Sequence, residues 1–183
     1  MTEDLKFEPA LSKADLLSPT VSVALAQWQA FTPVDQIFVS EIDPSFTHSA
    51  QFCEHYGVLP AEGANCVIVE AVRGEKRTLA ACLAPINCRM DINKVARKTL
   101  DARRVSFAPL EEVIKQTEME YGAVTPIGLP GGWPVLIDSR LVALPRVIIG
   151  AGLVKAKLSV PGKLLAELPG AIVVEGLGIL TSP

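Results

Sequence analysis

The stretch NCVIVEAVRGEKRTLAACLA, residues 65–84, decides the fold class. Two apolar runs, Asn65–Val72 and Arg77–Ala84, flank the polar tetrapeptide Arg73-Gly74-Glu75-Lys76. Strand-length apolar runs on either side of a short glycine-containing turn predict an antiparallel hairpin.

Outward from the hairpin the chain alternates helices and strands. Asp91 caps a helix over Ile92–Leu100, with Ile92, Val95, Ala96 and Leu100 on its apolar face and Lys94, Arg97 and Lys98 on its polar side. Arg104–Phe107 reads as a strand. Pro109 opens another helix, with Glu111 and Glu112 favourably placed in its first turn. Strands are expected at Val135–Asp138, Val147–Gly150, Lys155–Val160 and Ala171–Glu175, and a helix at about Gly162–Leu168. Towards the N-terminus, Gly57 suits the end of a helix from Thr47 to Tyr56, and Asp43-Pro44 breaks a strand at Gln36–Ser40. Ser18-Pro19 starts a helix expected to reach about Phe31, after a loose lead-in over residues 1–17. Hairpins mixed with strand–helix–strand units predict an α+β domain: a mixed sheet flanked by helices, and not a doubly wound parallel one.

A chain of 183 residues suits one domain, and no linker divides it. Apolar residues make up 49%, charged residues 20%, and the mean hydropathy is +0.34, which excludes a disordered chain. No apolar run is long enough for a membrane helix, since Pro145 and Arg146 interrupt Leu141–Val154. MTEDLKFEPA has no apolar centre of the kind a signal peptide needs, so a cytoplasmic location is expected. Cys53, Cys66, Cys82 and Cys88 form no C-x-x-C pair. His48 and His55 have no third ligand in register, so they read as surface residues of the second helix, with no metal and no cofactor expected. Charge is uneven. Residues 1–62 hold nine acids against two lysines, whereas residues 63–183 hold eleven acids against fifteen bases. The bases gather at Arg89–Arg104 and Ser139–Ala166, a moderate polyanion signal set against ordinary solvated faces.

Residues 121–134, YGAVTPIGLPGGWP, hold four glycines and three prolines. No helix or ladder survives that composition, so this is a loop with tightly set dihedrals. It is equally suited to a surface connection and to a loop that brings backbone against a small polar ligand. No phosphate-binding glycine motif and no G-x-S-x-G elbow is present, and two histidines leave little material for a Ser–His–Asp arrangement.

Three stretches, in order, resemble the YbaK family, also called the prolyl-tRNA synthetase-associated editing domain family. RMDINKVARKTLDARRVSFAPLEEV (89–113) is similar to its basic helix, strand and short helix. TEMEYGAVTPIGLP (117–130) contains its G-x-x-x-P motif as Gly122-Ala123-Val124-Thr125-Pro126. WPVLIDSRL (133–141) and VIIGAGLVKAKLSV (147–160) are similar to its closing strands around a Gly150-x-Gly152 turn. The resemblance runs from about Phe46 to Glu175. It implies a partly barrel-like sheet and a domain at 46–183, with 1–45 as a helical and strand lead-in packed on it. It further implies a free-standing hydrolase of the ester in a mischarged tRNA that carries a small amino acid. A water would be the nucleophile.

On this resemblance Gly122 is catalytic and Ala123, Val124, Thr125 and Pro126 hold the aminoacyl group, with Gly150 and Gly152 as further pocket positions. Asp138, at a strand end, suits a pocket position that orients the loop and equally a turn acid that caps the following segment. Arg89, Lys94, Arg97, Lys98 and Lys155 would meet the tRNA backbone. An aminoacyl-tRNA synthetase is a second expected partner, with no membrane. The family's active members carry a lysine at the position that is Asn65 here, and Gly57–Val72 contains no lysine. Asn65 brings hydrogen bonds and no charge. Losing a transition-state donor costs roughly 10²–10³ in rate. Lys157 is the candidate replacement, with Lys155 beside it. Two alternatives therefore stay open: a weak or inactive tRNA- or aminoacyl-binding protein on this scaffold, and a different small-ligand enzyme or regulator.

Overall fold

A computed structural model describes residues 4–181. In chain order the elements are β1 (Glu8–Pro9), α1 (Pro19–Ala26), β2 (Phe38–Glu41), α2 (Ser49–Tyr56), β3 (Ala64–Arg73), β4 (Lys76–Pro85) and β5 (Cys88–Met90). There follow α3 (Arg97–Thr99), β6 (Arg104–Phe107), α4 (Leu110–Thr117), β7 (Val135–Asp138), α5 (Ser139–Val142), β8 (Val147–Gly150), β9 (Ala156–Val160), α6 (Gly162–Leu165), β10 (Ala171–Val174) and β11 (Gly178–Leu180). The expected hairpin is β3–β4, in register from Ala64 opposite Pro85 to Arg73 opposite Lys76, with Gly74 supplying a positive φ of 61° at the turn.

A five-stranded sheet has the order β10-β7-β4-β3-β6. β10 and β4 run parallel to β7, while β3 runs antiparallel to both of its neighbours, β4 and β6. A four-stranded antiparallel sheet has the order β1-β2-β9-β8, and β5 pairs with β11. The two larger sheets meet where Gly63 bridges Ile148, so the arrangement is mixed and partly barrel-like without closing. No helix among the described residues is long and apolar enough to cross a membrane.

Alternation along β3 sorts its side chains between two cores. Ala64, Cys66 and Ile68 face the main core, which fills the space between the sheets with Leu83, Ile137, Ile149 and Leu158. Ala10, Leu16, Val21, Leu25 and Ile37, from the N-terminal segment, lie in that same core. Val67, Val69 and Ala71 face the other way, against the helical segment 92–100. That segment begins as a π-helical turn at Ile92–Ala96, where the Ala96 N–H reaches back five residues to the Asp91 carbonyl. Its Ile92, Val95, Ala96 and Leu100 pack inwards as expected.

The first helix stops five residues short of Phe31 because other bonds claim the chain. Trp28 Nε1 donates to the Thr32 carbonyl (2.8 Å). The Glu167 carboxylate accepts from the Thr32 N–H (2.6 Å) and hydroxyl (2.7 Å). These bonds fold 27–32 into a turn.

Candidate functional site

A cavity of about 490 Å³ opens along one edge of β3. β4 covers the other edge throughout. On the open edge β6 reaches only to Val69, and the Ala108 N–H adds a last bond to the Ile68 carbonyl (3.0 Å). The chain then leaves the sheet, because Pro109 has no N–H to continue the ladder and starts α4. At the far end Ile148 donates to the Glu62 carbonyl (2.8 Å) beside the Gly63 bridge. Backbone groups on one strand edge alternate, so Cys66 turns its N–H and C=O towards the stretch of edge that no strand covers. Thr47, Ser49, Phe107, Leu110, Tyr121, Gly122, Val124 and Gly150 stand around it.

Asn65 and Lys157 line this cavity together, although they come from different sheets. The Asn65 side-chain amide oxygen, Oδ1, accepts a hydrogen bond from the Ser49 hydroxyl at the start of α2. Lys157 is 8% exposed. Its Nζ donates to the Thr47 carbonyl (3.1 Å) and stands 5.2 Å from the centre of the Phe52 ring. It has no carboxylate partner among the described residues. Burial therefore pushes its pKa down to about 8, opposed only by the Cys53 thiol. The Cys66 thiol goes the other way: burial, with Cys82 adding to it, holds it far above the ordinary thiol range. It is a neutral wall group and not a nucleophile.

A recess of about 20 Å³ lies behind the cavity, lined by Ser49, Asn65 and Lys157 among apolar neighbours that include Phe52 and Ile148. One water molecule needs about that much room.

The G-x-x-x-P loop is strapped to the turn after β8. Gly152 N–H donates to the Ala123 carbonyl (2.9 Å), Glu120 N–H to the Gly152 carbonyl (2.9 Å), and Val154 N–H to the Glu120 carboxylate (2.6 Å). Gly150 lies directly under the loop. Any Cβ there would run into the Ala123 and Val124 carbonyl oxygens. Gly152 is closed off in the same way by the Ser18 side chain and has φ +81°. Gly122, at φ +85°, and Val124 line the cavity, and neither N–H has a hydrogen-bond partner among the described residues.

Of the expected site residues, the structure thus brings Asn65, Gly122, Val124, Gly150 and Lys157 to one cavity. Ala123 and Thr125 are buried behind it, and Gly152 acts as the strap. Pro126 lines a second cavity of about 360 Å³ with Trp28 and Trp133. Asp138 does not line the cavity beside β3. It is fully buried, and its carboxylate accepts from Arg140 Nε and Nη2 (both 2.8 Å) and from the Gly178 N–H (2.8 Å). Burial alone would raise its pKa, but those donors outweigh burial and hold it below the ordinary carboxylate value. Arg89 is exposed on β5, and Lys94, Arg97 and Lys98 are exposed on the segment that packs on the opposite face of β3 from Ile68. Lys155 is half-buried just before β9.

The two histidines differ from the surface pair expected. His48 is exposed and lines the cavity, but His55 is half-buried and stacked flat on Phe46, with centroids 3.8 Å apart. Thr47 and Ser49 belong to no motif, and Phe107 and Tyr121 lie in stretches that resemble the family without being singled out there; the place of all four at the cavity follows from the fold.

Among known proteins, residues 43–168 match the model of the aminoacyl-tRNA editing domain. A crystal structure of a candidate trans-editing enzyme for prolyl tRNA synthetase superposes with a TM-score of 0.71 at 22% identity, covering 87% of this chain and 97% of that one. The hypothetical protein APE2540 superposes at 0.66 with 24% identity, over 75% of this chain and 88% of that one. A candidate signal transduction protein from Marinobacter aquaeolei VT8 superposes at 0.55 with 16% identity, over 87% of this chain but 30% of that one. The last two likenesses speak to the fold alone, as does the first. The match over residues 43–168 goes further: the chain belongs to the aminoacyl-tRNA editing domain family.

Proposed function

We propose that the chain is a free-standing deacylase that hydrolyses the ester of a mischarged tRNA carrying a small amino acid. The observation that carries this is the meeting, around one cavity, of Lys157, Asn65 and the N–H groups of Gly122 and Val124, which have no partner among the described residues. An aminoacyl ester is already activated, so a positioned water and a polarised carbonyl suffice. Water adds to the ester carbon, and the carbonyl oxygen takes up negative charge. The Gly122 and Val124 N–H groups are the donors available to it. The bond to the ribose oxygen then breaks, releasing the amino acid as its carboxylate, the free ribose hydroxyl and one proton. Lys157 supplies a charge inside the cavity that Asn65 does not, and with Ser49 and Asn65 it holds the water in the recess. The open N–H and C=O of Cys66 suit the carbonyl and amino groups of the substrate.

Asn65 favours a second reading: a protein that binds the acceptor end of tRNA, or an aminoacyl group, without turnover. Deacylation of Ala-, Cys-, Ser- and Pro-charged tRNA separates the two. On the first reading wild type cleaves at least one ester and Gly122→Val cleaves none, because a valine at φ +85° is strained and fills the space towards Thr47. On the second, wild type cleaves none, and binding of the charged tRNA raises its melting temperature.

A further inference from the structure

Phe107 and Tyr121 line the cavity beside β3 yet are 63% and 64% exposed, so they stand at its mouth. Leu110, also lining, is 45% exposed. Large apolar side chains exposed at a cavity rim gain little for the fold, and the two aromatics come from separate elements, the end of β6 and the loop after α4. We infer, on the deacylase reading, that Phe107 and Tyr121 form the platform on which the terminal base of the tRNA stacks.

The geometry follows from the substrate's connectivity. The ester carbon must reach the part of the cavity that Lys157, Gly122 and Val124 line. The base hangs on the same ribose as the ester, one sugar ring back along the chain. With the amino acid inside, the base is therefore at the rim. A base offers a flat π-face that stacks on aromatic rings, and single-stranded ends are recognised in this way. The platform also explains how a chain of net charge −3, with Lys94, Arg97 and Lys98 on the opposite sheet face, would hold an acceptor end near the cavity. Stacking supplies affinity where phosphate contacts are few.

The test uses the full chain and the uncharged trinucleotide CpCpA, titrated calorimetrically, together with CpC ending in an abasic ribose. Phe107→Ala and Tyr121→Ala should each weaken CpCpA binding roughly 5- to 150-fold. Tyr121→Phe, which keeps the ring, should bind as wild type does. Loss of the terminal base should weaken wild type by a similar factor and weaken the double alanine variant no further. Unchanged binding in both alanine variants overturns the inference, as does a Tyr121→Phe loss equal to that of Tyr121→Ala. It is also overturned if light scattering shows a wild-type dimer that Phe107→Ala splits, since the face then serves a second copy. The deacylation panel is scored separately. CpCpA binding through these rings without turnover fails the catalytic reading and keeps this one. Turnover with KM unmoved in the alanine variants does the reverse.

Discussion

Asp138 and Lys157 are both charged residues buried in strands, and their surroundings are opposites. Asp138 ends β7 with its carboxylate fully used by Arg140 and the Gly178 N–H. Lys157 sits in β9 with one backbone carbonyl and the face of a ring. A buried charge with every lone pair satisfied ties elements together. Here Asp138 caps α5 through the Arg140 N–H (3.1 Å) and anchors β11 forty residues away. A buried charge without a counter-charge costs the fold free energy and keeps its hydrogen-bonding capacity for something else. Both were candidate site residues from the sequence; on the proposed function, the difference makes Asp138 a structural tie and Lys157 the group for chemistry.

The sharpest way to break this contrast is Lys157→Met, which keeps the length and removes the charge. Deacylation should fall about 10²–10³-fold, the scale of a lost transition-state donor. The melting temperature at pH 7 should rise, because a desolvated ammonium is replaced by an apolar chain. A lysine that was merely structural would show the opposite sign in stability. Asp138→Ala comes next. It leaves the Gly178 N–H and one face of Arg140 unpaired, and should cost about 3 kcal/mol by urea unfolding. The turnover of the protein that remains folded should stay near wild type. If turnover collapses while stability holds, the assignment of the two residues is reversed.

A pH series tests the same contrast without mutation. The folded pKa of Lys157, about 8, lies below its ordinary value of 10.5. Between those values the unfolded chain binds more protons, so stability rises as pH climbs from about 8 to 10.5. The gain should be on the order of 2 kcal/mol, the shift being discounted for water entering the cavity. Lys157→Met should abolish that rise. Deacylation should fall over the same range as the ammonium is lost, after subtraction of uncatalysed ester hydrolysis. Asp138 acts at the other end. Its pKa is held down in the folded state, so its contribution is present at neutral pH and lost on acidification through the folded value.

What was legible in the sequence is what local chemistry decides. The hairpin could be read because Gly74 and its polar neighbours interrupt two apolar runs. The Asp91 cap and the apolar face of 92–100 could be read from spacing, and the 121–134 loop from glycine and proline alone. The strands β5 and β11 escaped because each is three residues long and is specified by its partner. The end of α1 escaped because Glu167, far along the chain, captures Thr32. The cavity itself escaped for a related reason. It is a gap in pairing, made where β6 stops at Pro109 and Gly63 bridges Ile148, and no window of sequence contains both. Thr47, Ser49, Phe107 and Tyr121 inherit their place from that gap. Lys157 was accessible only through its position on a strand after the Gly150-x-Gly152 turn. The motif glycines were legible as special, but their separate duties were not. Gly122 sits open at the cavity, whereas Gly150 exists to let the loop lie against β8.

The smallest expected effect is the most discriminating. Asn65→Lys introduces the lysine that the family resemblance implies for active members at this position. If Lys157 already supplies the cavity's charge, the second ammonium arrives beside the first with no carboxylate to balance it. Like charges in a poorly hydrated space disfavour each other's protonation, so the pKa of Lys157 should move further below 8. The new side chain also gives up the Ser49–Asn65 hydrogen bond that fixes the start of α2. Turnover should then change by less than about threefold, with its alkaline limb displaced to lower pH. If Asn65 instead records the loss of catalysis, wild type is inert and Asn65→Lys gains turnover on the scale of a restored donor, about 10²-fold. The two outcomes differ in rate, and only the first leaves a wild-type alkaline limb that can be displaced. A variant of unchanged stability therefore decides whether the charge moved from β3 to β9 or was lost.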